Sequence, residues 1–365
     1  MKKLFYIFSI VILLFSCNRN DIYQIEGRLS NLESTTLYVV FESPEGNIID
    51  TVLCDEQGKF SIFREHIEDL QMITFFYNDR KNWFAVFPEE GKTMQIKGDA
   101  RYAQLLEVKG GRTNNKLSEF KKKAESLIKE RRDISANSND FSLSNREGVP
   151  QLANINYELR RMIQDFVAKN PKEEASAILI SVYFSNPEDI FHAEELISQL
   201  TPDLDDFFIV KNLKSEIAKA KTTMAGANAP EFKVTNIYGQ NFTNSSFTNK
   251  YFILAFTALW CDMCQTEVMM LDDIIGKYPK DSLDILLVSL DDELNEARNL
   301  ISQDSISWNL VTDSAGQAIK LLEAYNVNCL PKCFLMDKDG KIILSTANGL
   351  ELQQAVDEAM KMVND

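Results

Sequence analysis

A chain of 365 residues is too long for a single small core and should divide into two or three domains. With 45% apolar and 25% charged residues it has the composition of a globular protein, not a disordered one. A net charge of −15 argues against nucleic acid or anionic lipid as a direct partner, and two histidines, His66 and His192, leave little room for histidine-dependent chemistry.

The first residues read as an address. Lys2 and Lys3 form a basic start, and Leu4 to Phe15 form an apolar stretch of 12 residues. That stretch is short for a bilayer span and suits a signal-peptide core. It runs into Leu14-Phe15-Ser16-Cys17, which resembles a bacterial lipobox. The resemblance implies a signal peptide over residues 1–17, lipidation at Cys17, and a mature chain tethered to a membrane of the cell envelope and facing the periplasm. An ordinary signal peptide or an uncleaved anchor is the alternative, and Asn18 does not say which membrane is meant. Outside the cytoplasm disulfides persist and an exchange enzyme has work there; with Cys17 lipidated five thiols remain, Cys54, Cys261, Cys264, Cys329 and Cys333, of which Cys54 has no obvious partner and reads as a half-buried strand cysteine.

Residues 22–108 carry strand patterns. Alternation runs through Tyr23-Ile25-Gly27-Leu29, Leu37-Val39-Phe41 and Phe60-Ile62, the last after a turn at Asp55–Gly58. Apolar runs at Met72–Tyr77 and Trp83–Phe87 follow, and the spacing predicts a small antiparallel sandwich or barrel. From 112 to 223 the period turns helical, with a stripe of Leu152, Ile155, Leu159, Met162, Ile163, Phe166 and Val167. Asn170-Pro171 and Thr201-Pro202 each predict a helix start, and Ser135–Pro150 a polar loop. The lysine and arginine runs at 121–123 and 129–132 are expected to be solvated helix faces. Thr222–Ala229 reads as a linker, and residues 226–365 alternate between strand and helix as an α/β module does. Strands are expected at Phe252–Phe256, Leu283–Leu290, Phe334–Asp337 and Lys341–Ser345, with helices after Cys261, Asp292, Ser314 and Leu350.

The chemistry sits at Trp260-Cys261-Asp262-Met263-Cys264, which follows the apolar run Tyr251–Leu259 and opens a helical pattern. A helix N-terminus favours the thiolate of the first cysteine, and only the thiolate attacks. The second sulfur, one turn on, stands close enough to resolve a mixed disulfide. Cys261 is therefore the expected attacking thiol and Cys264 the resolving one. A structural disulfide, or half of a zinc site completed by Cys329 and Cys333, are the competing readings. A proline inside the second pair and 64 residues between the pairs argue against the metal. A Cys329–Cys333 bridge is not expected, because an extended four-residue step of about 13 Å exceeds what a disulfide spans.

An ordered set of further pieces accompanies the pair. Ala229-Pro230-Glu231-Phe232 and Gly239 stand upstream, and Glu267 stands three residues after the second cysteine. Downstream come Tyr325-Asn326-Val327, Leu330-Pro331, Phe334-Leu335-Met336-Asp337 and Gly340-Lys341-Ile342. Together they resemble the TlpA/ResA-like branch of the thioredoxin superfamily, membrane-tethered thiol–disulfide oxidoreductases of the bacterial envelope. Residues 22–108 resemble the β-rich domain of unknown function that often precedes such modules. The expected fold is thus multidomain: an N-terminal antiparallel β domain over 22–108, a central α-helical region over 112–223, and a C-terminal α/β thioredoxin-like domain over 226–365.

The resemblance implies a cis peptide bond before Pro331, in a loop opposite the cysteines that offers its backbone to a bound polypeptide. Trp260, Leu330, Pro331 and Lys332 are the implied client-binding residues. Lys332 departs from the threonine usual at its place, a change that would suit an acidic client. Glu267 is expected to move the resolving thiol's proton if partly buried, and its weight grows because Ala255 replaces the buried acid of thioredoxin itself. Cys333 falls where the family packs an apolar residue, which suits an inert thiol, with an accessory redox role as the alternative. Asp262 beside Cys261 disfavours the thiolate and so predicts a reductant.

No cofactor and no metal is implied. The expected partners are protein disulfide clients, a membrane electron donor and the membrane itself through the lipid anchor. Two other functions compete. A peroxiredoxin-like peroxidase needs a threonine or serine where Ala258 stands. A lipoprotein binding or scaffold module would use its large front domains and give the dithiol a minor role.

Overall fold

The computed structural model describes residues 22–65, 67–137, 148–184, 189–291, 308–313 and 316–361. The signal segment with Cys17, His66 and the helix expected after Asp292 lie outside the described residues. The chain divides into two compact units, residues 1–211 and 212–365.

The described residues of the first unit begin with eight strands: β1 (Ile22–Ser30), β2 (Thr36–Ser43), β3 (Gly46–Leu53), β4 (Lys59–Glu65), β5 (Met72–Tyr77), β6 (Asn82–Val86), β7 (Thr93–Asp99) and β8 (Glu107–Lys109). They form two four-stranded sheets, ordered β4-β1-β7-β8 and β3-β2-β5-β6. Period-2 alternation drives both sheets into one core, where Ile25, Val39, Phe41, Phe75 and Met94 are fully buried. The turn at Asp55–Gly58 is fixed by its own side chain, since the Asp55 carboxylate accepts the N–H groups of Gln57 (2.9 Å) and Lys59 (2.8 Å). One pairing corrects the all-antiparallel expectation: β1 and β7 run parallel, with Ile25 opposite Met94. Between β4 and β7 the chain passes through the second sheet, and a crossover of that length lets β7 enter beside β1 in the same direction.

Among the described residues six α-helices follow: α1 (Arg112–Lys123), α2 (Glu125–Asn137), α3 (Gly148–Lys169), α4 (Glu174–Tyr183), α5 (Ile190–Ser198) and α6 (Phe208–Lys221), the last straddling the division between the units. Ile155, Leu159, Ile163 and Val167 form the buried stripe of α3. Four local expectations change. Helix continues to Asn137 and resumes at Gly148, so both ends of the Ser135–Pro150 segment are helical. Asn170-Pro171 closes α3 rather than opening a helix: the Asn170 amide donates back to Phe166 O (2.8 Å), and α4 starts only at Glu174. Thr201-Pro202 does open a helix, but a single 3-10 turn, Pro202–Leu204. Lys121, expected in solvent, is half-buried, with its Nζ 3.4 Å from Leu106 O, and desolvation lowers its ammonium to about 8.

The second unit opens with a hairpin of β9 (Lys233–Thr235) and β10 (Asn241–Thr243). Its centre is a five-stranded sheet ordered β13-β12-β11-β14-β15, built from β11 (Tyr251–Thr257), β12 (Leu283–Ser289), β13 (Asn309–Val311), β14 (Lys332–Met336) and β15 (Ile342–Thr346). β11, β12 and β13 are parallel, while β14 and β15 are antiparallel to their neighbours. Every residue of β12 is buried, as expected of a strand covered on both faces. On one face Ile253 and Ala255 of β11 pack with α7 (Asp262–Lys277) and α9 (Gly349–Lys361). On the other, Leu254 and Phe256 pack with α8 (Gln317–Ala324) and Tyr325. In α7 the buried positions are Cys264, Val268, Leu271 and Ile274, a stripe at the 3.6-residue period that faces the sheet.

Candidate active site

The cysteine pair stands where β11 ends and α7 begins. Cys261 is the N-cap of α7, with extended backbone (φ −99°, ψ 101°), and its C=O accepts the Cys264 N–H at 2.9 Å. Cys261 and Cys264 are joined in a disulfide, with Cα atoms 5.3 Å apart. Cys261 is half-buried and Cys264 fully buried, so Cys261 is the more accessible sulfur of the pair. Trp260 is 70% exposed beside it, and Met263 projects from the same turn.

The register brings the proline loop to this end of the sheet. Phe256, near the end of β11, is opposite Lys332, the first residue of β14, and the Leu330–Pro331 bond immediately before it is cis. Pro331 is buried, and Leu330 and Lys332 are half-buried. The Lys332 ammonium lies 5.6 Å from the centre of the Phe334 ring. Burial pulls its pKa below the ordinary lysine value, opposed by Cys329, Cys333 and Glu351.

Cys333 is opposite Ala255 on the sheet face that carries α7. It is a free, buried thiol. Burial first, and then the charge of Glu267, push it up to about 12, against a smaller pull from Lys332. Cys329 is free and exposed. Cys54, in the first unit, is also free; burial and the Asp55 charge raise it to about 11. Glu267 is half-buried, and its carboxylate rests against Gly349 at the start of α9: a Cβ at that glycine would lie 2.4 Å from Glu267 Oε2.

Asp291 belongs to the site and was missed in the sequence. It is buried just beyond β12, and its carboxylate accepts the Leu259 N–H at 2.9 and 3.2 Å and the Ser289 hydroxyl at 2.6 Å. It thereby holds the chain one residue before Trp260-Cys261. The available signal was its place: an acid following the end of a parallel strand next to β11, on the edge where α/β sheets assemble sites.

A central sheet with two antiparallel strands at one edge, and a disulfide capping the helix that follows its middle strand, define a thioredoxin-like enzyme of thiol–disulfide exchange. Residues 225–345 match the AhpC/TSA family and residues 23–117 match a domain of unknown function (DUF4369). The thiol-disulfide oxidoreductase ResA of Geobacillus kaustophilus is 30% identical over 123 residues, which cover 33% of this chain and 69% of that protein. ResA of Bacillus cereus is 28% identical over 146 residues, 40% of this chain and 82% of that protein. A solved thiol-disulfide oxidoreductase from Bacteroides fragilis is 27% identical, covering 37% of this chain and 98% of its own, with a TM-score of 0.33. The chain belongs to the ResA-like thiol-disulfide oxidoreductases.

Proposed function

We propose that this enzyme reduces disulfides of protein clients in the cell envelope through a mixed disulfide on Cys261. The supporting observation is the asymmetry of the pair, a half-exposed Cys261 at the helix N-cap and a fully buried Cys264 one turn on. In the reduced enzyme the Cys261 thiolate attacks one sulfur of a client disulfide. The Cys261–client bond forms and the other client sulfur leaves as a thiolate. Cys264 then gives its proton to the Glu267 carboxylate and attacks Cys261 Sγ. The Cys261–Cys264 bond forms, the client's second sulfur leaves, and two electrons have passed to the client. A membrane electron donor returns the pair to the dithiol. Trp260, Leu330, Pro331 and Lys332 would hold the client chain, with Lys332 favouring an acidic one.

The same reading makes residues 1–17 a lipoprotein signal with Cys17 as the anchor. It assigns the chemistry to 226–365 and leaves 22–108 and 112–223 as accessory domains. No helix among the described residues is long and apolar enough to cross a membrane. A peroxidase reading lacks the hydroxyl it needs, because Ala258, three residues before Cys261, is buried and apolar.

The test is a redox titration with thiol trapping, followed by client capture with Cys264→Ser. A Cys261–Cys264 couple with a potential near thioredoxin's, about −270 mV, and client proteins held on Cys261 are expected. A potential above about −180 mV would overturn the reductase direction. A Cys261→Ser strain that keeps the full cellular role would turn the reading to a scaffold.

A further inference from the structure

The final helix begins against Glu267. Asn348 caps α9: its side-chain oxygen accepts the N–H groups of Leu350 (3.0 Å) and Glu351 (3.3 Å), and its backbone C=O accepts that of Leu352 (3.0 Å). Gly349 is the first residue of the helix and is buried. Its φ lies outside the left-handed region, so the backbone does not require glycine there. Alanine would suit a helix better. What glycine supplies is room. A Cβ on residue 349 would lie 2.4 Å from Glu267 Oε2, 2.7 Å from Met270 Sδ and 3.2 Å from Met270 Cβ. The closest two of these atoms lie at or near the ends of flexible side chains, so a methyl group would move the Glu267 carboxylate and the Met270 thioether rather than the backbone.

Three elements meet at that carboxylate. Glu267 stands on α7 one turn beyond the resolving Cys264, and the opening turn of α9 presents the positive end of its dipole to it. Cys333 on β14, beneath α7, feels its charge. The side chain therefore has a fixed seat, made by a missing methyl group.

We propose that Gly349 is a positioning residue that seats the Glu267 carboxylate on the first turn of α9, where it takes the proton of Cys264. This rests on the reading of Glu267 as that proton acceptor. A reacting group displaced by about an ångström loses up to about a hundredfold in rate. Gly349→Ala should therefore slow the chemistry while leaving the cysteines and their helix in place.

The experiment follows disulfide closure in the reduced full-length protein with oxidised glutathione, by Trp260 fluorescence, from pH 5 to 9. Wild type, Gly349→Ala, Glu267→Gln and the double variant are compared. Gly349→Ala and Glu267→Gln should each slow closure about ten- to a hundredfold at neutral pH and change the pH profile alike. The double variant should be no slower than Glu267→Gln alone. Glu267→Asp in the Gly349→Ala background draws the carboxylate back by one carbon, about 1.5 Å, and should restore part of the rate and the profile. Should Gly349→Ala fail to fold, that relieved pair carries the comparison against Glu267→Asp alone.

A wild-type profile in Gly349→Ala, with Glu267→Gln altered, would overturn the positioning role and leave Glu267 its chemistry. Additive losses in the double variant would overturn it as well, because glycine would then act elsewhere. A wild-type profile in Glu267→Gln would remove the proton-transfer reading itself, and the proposal with it.

Discussion

Replacing Asp291 by alanine would strip the acceptor from two donors, the part-buried Leu259 N–H and the buried Ser289 hydroxyl. Hydrogen bonds to a charged acceptor contribute about 1.5–3 kcal/mol each, so the two together set an upper range of about 3–6 kcal/mol. Water entering the vacated space would satisfy part of the loss, leaving about 2–4 kcal/mol. In a unit of this size each kilocalorie moves the melting temperature by about 3 °C, so a fall of about 6–12 °C is expected. The assay is calorimetry of the oxidised full-length protein, read at the transition in which the disulfide-bearing unit melts. Asp291→Asn keeps an acceptor for the Leu259 N–H and should lose about 1 kcal/mol. Because Leu259 leads directly into Trp260 and Cys261, Asp291→Ala should also slow exchange, while Asp291→Asn should leave it near wild type. A change under about 3 °C in Asp291→Ala would refute the claim that this carboxylate holds the entry to the active-site helix.

The free thiols should alkylate in the order Cys329, Cys54, Cys333. At pH 8 a thiol near 11 is about one part in a thousand thiolate, and one near 12 about one part in ten thousand. Both raised values leave the neutral thiol dominant, so labelling of Cys54 and Cys333 should rise about tenfold per pH unit above 8. Pulsed iodoacetamide with mass spectrometry reads the order, and rapid labelling of Cys333 in the folded protein would contradict its burial. Asp262→Asn removes a negative charge next to the Cys261 sulfur. The thiolate and hence the dithiol gain, so the potential should rise by up to about 30 mV in a glutathione titration. An unchanged potential would show that the helix terminus, and not Asp262, sets the balance.

Much of the fold was legible because its signals are local. Alternation in Leu37-Val39-Phe41 needs only the strand period, and Asp55 closes its turn with its own carboxylate. The parallel pairing of β1 with β7 was not legible, since the direction in which a strand returns depends on a crossover through another sheet. Asn170-Pro171 misled for a related reason. The same two residues serve as a helix start or a helix stop, and the neighbouring turn that Asn170 bonds decides which.

At the site the division is the same. That a strand ends in Cys-x-x-Cys on the first turn of a helix can be read from residues 251–264 and the helical pattern after them, because those signals are contiguous. Tertiary structure alone decided that Asp291 stands at the entry to that pair and where the Glu267 carboxylate comes to rest. Asp291 reaches Leu259 from 32 residues away, because the parallel register sets Thr257 opposite Ser289. Gly349 makes a seat for Glu267 only because α7 and α9 share one face of the sheet. Such contacts depend on register and packing, which join residues whose local sequences carry no mark of each other.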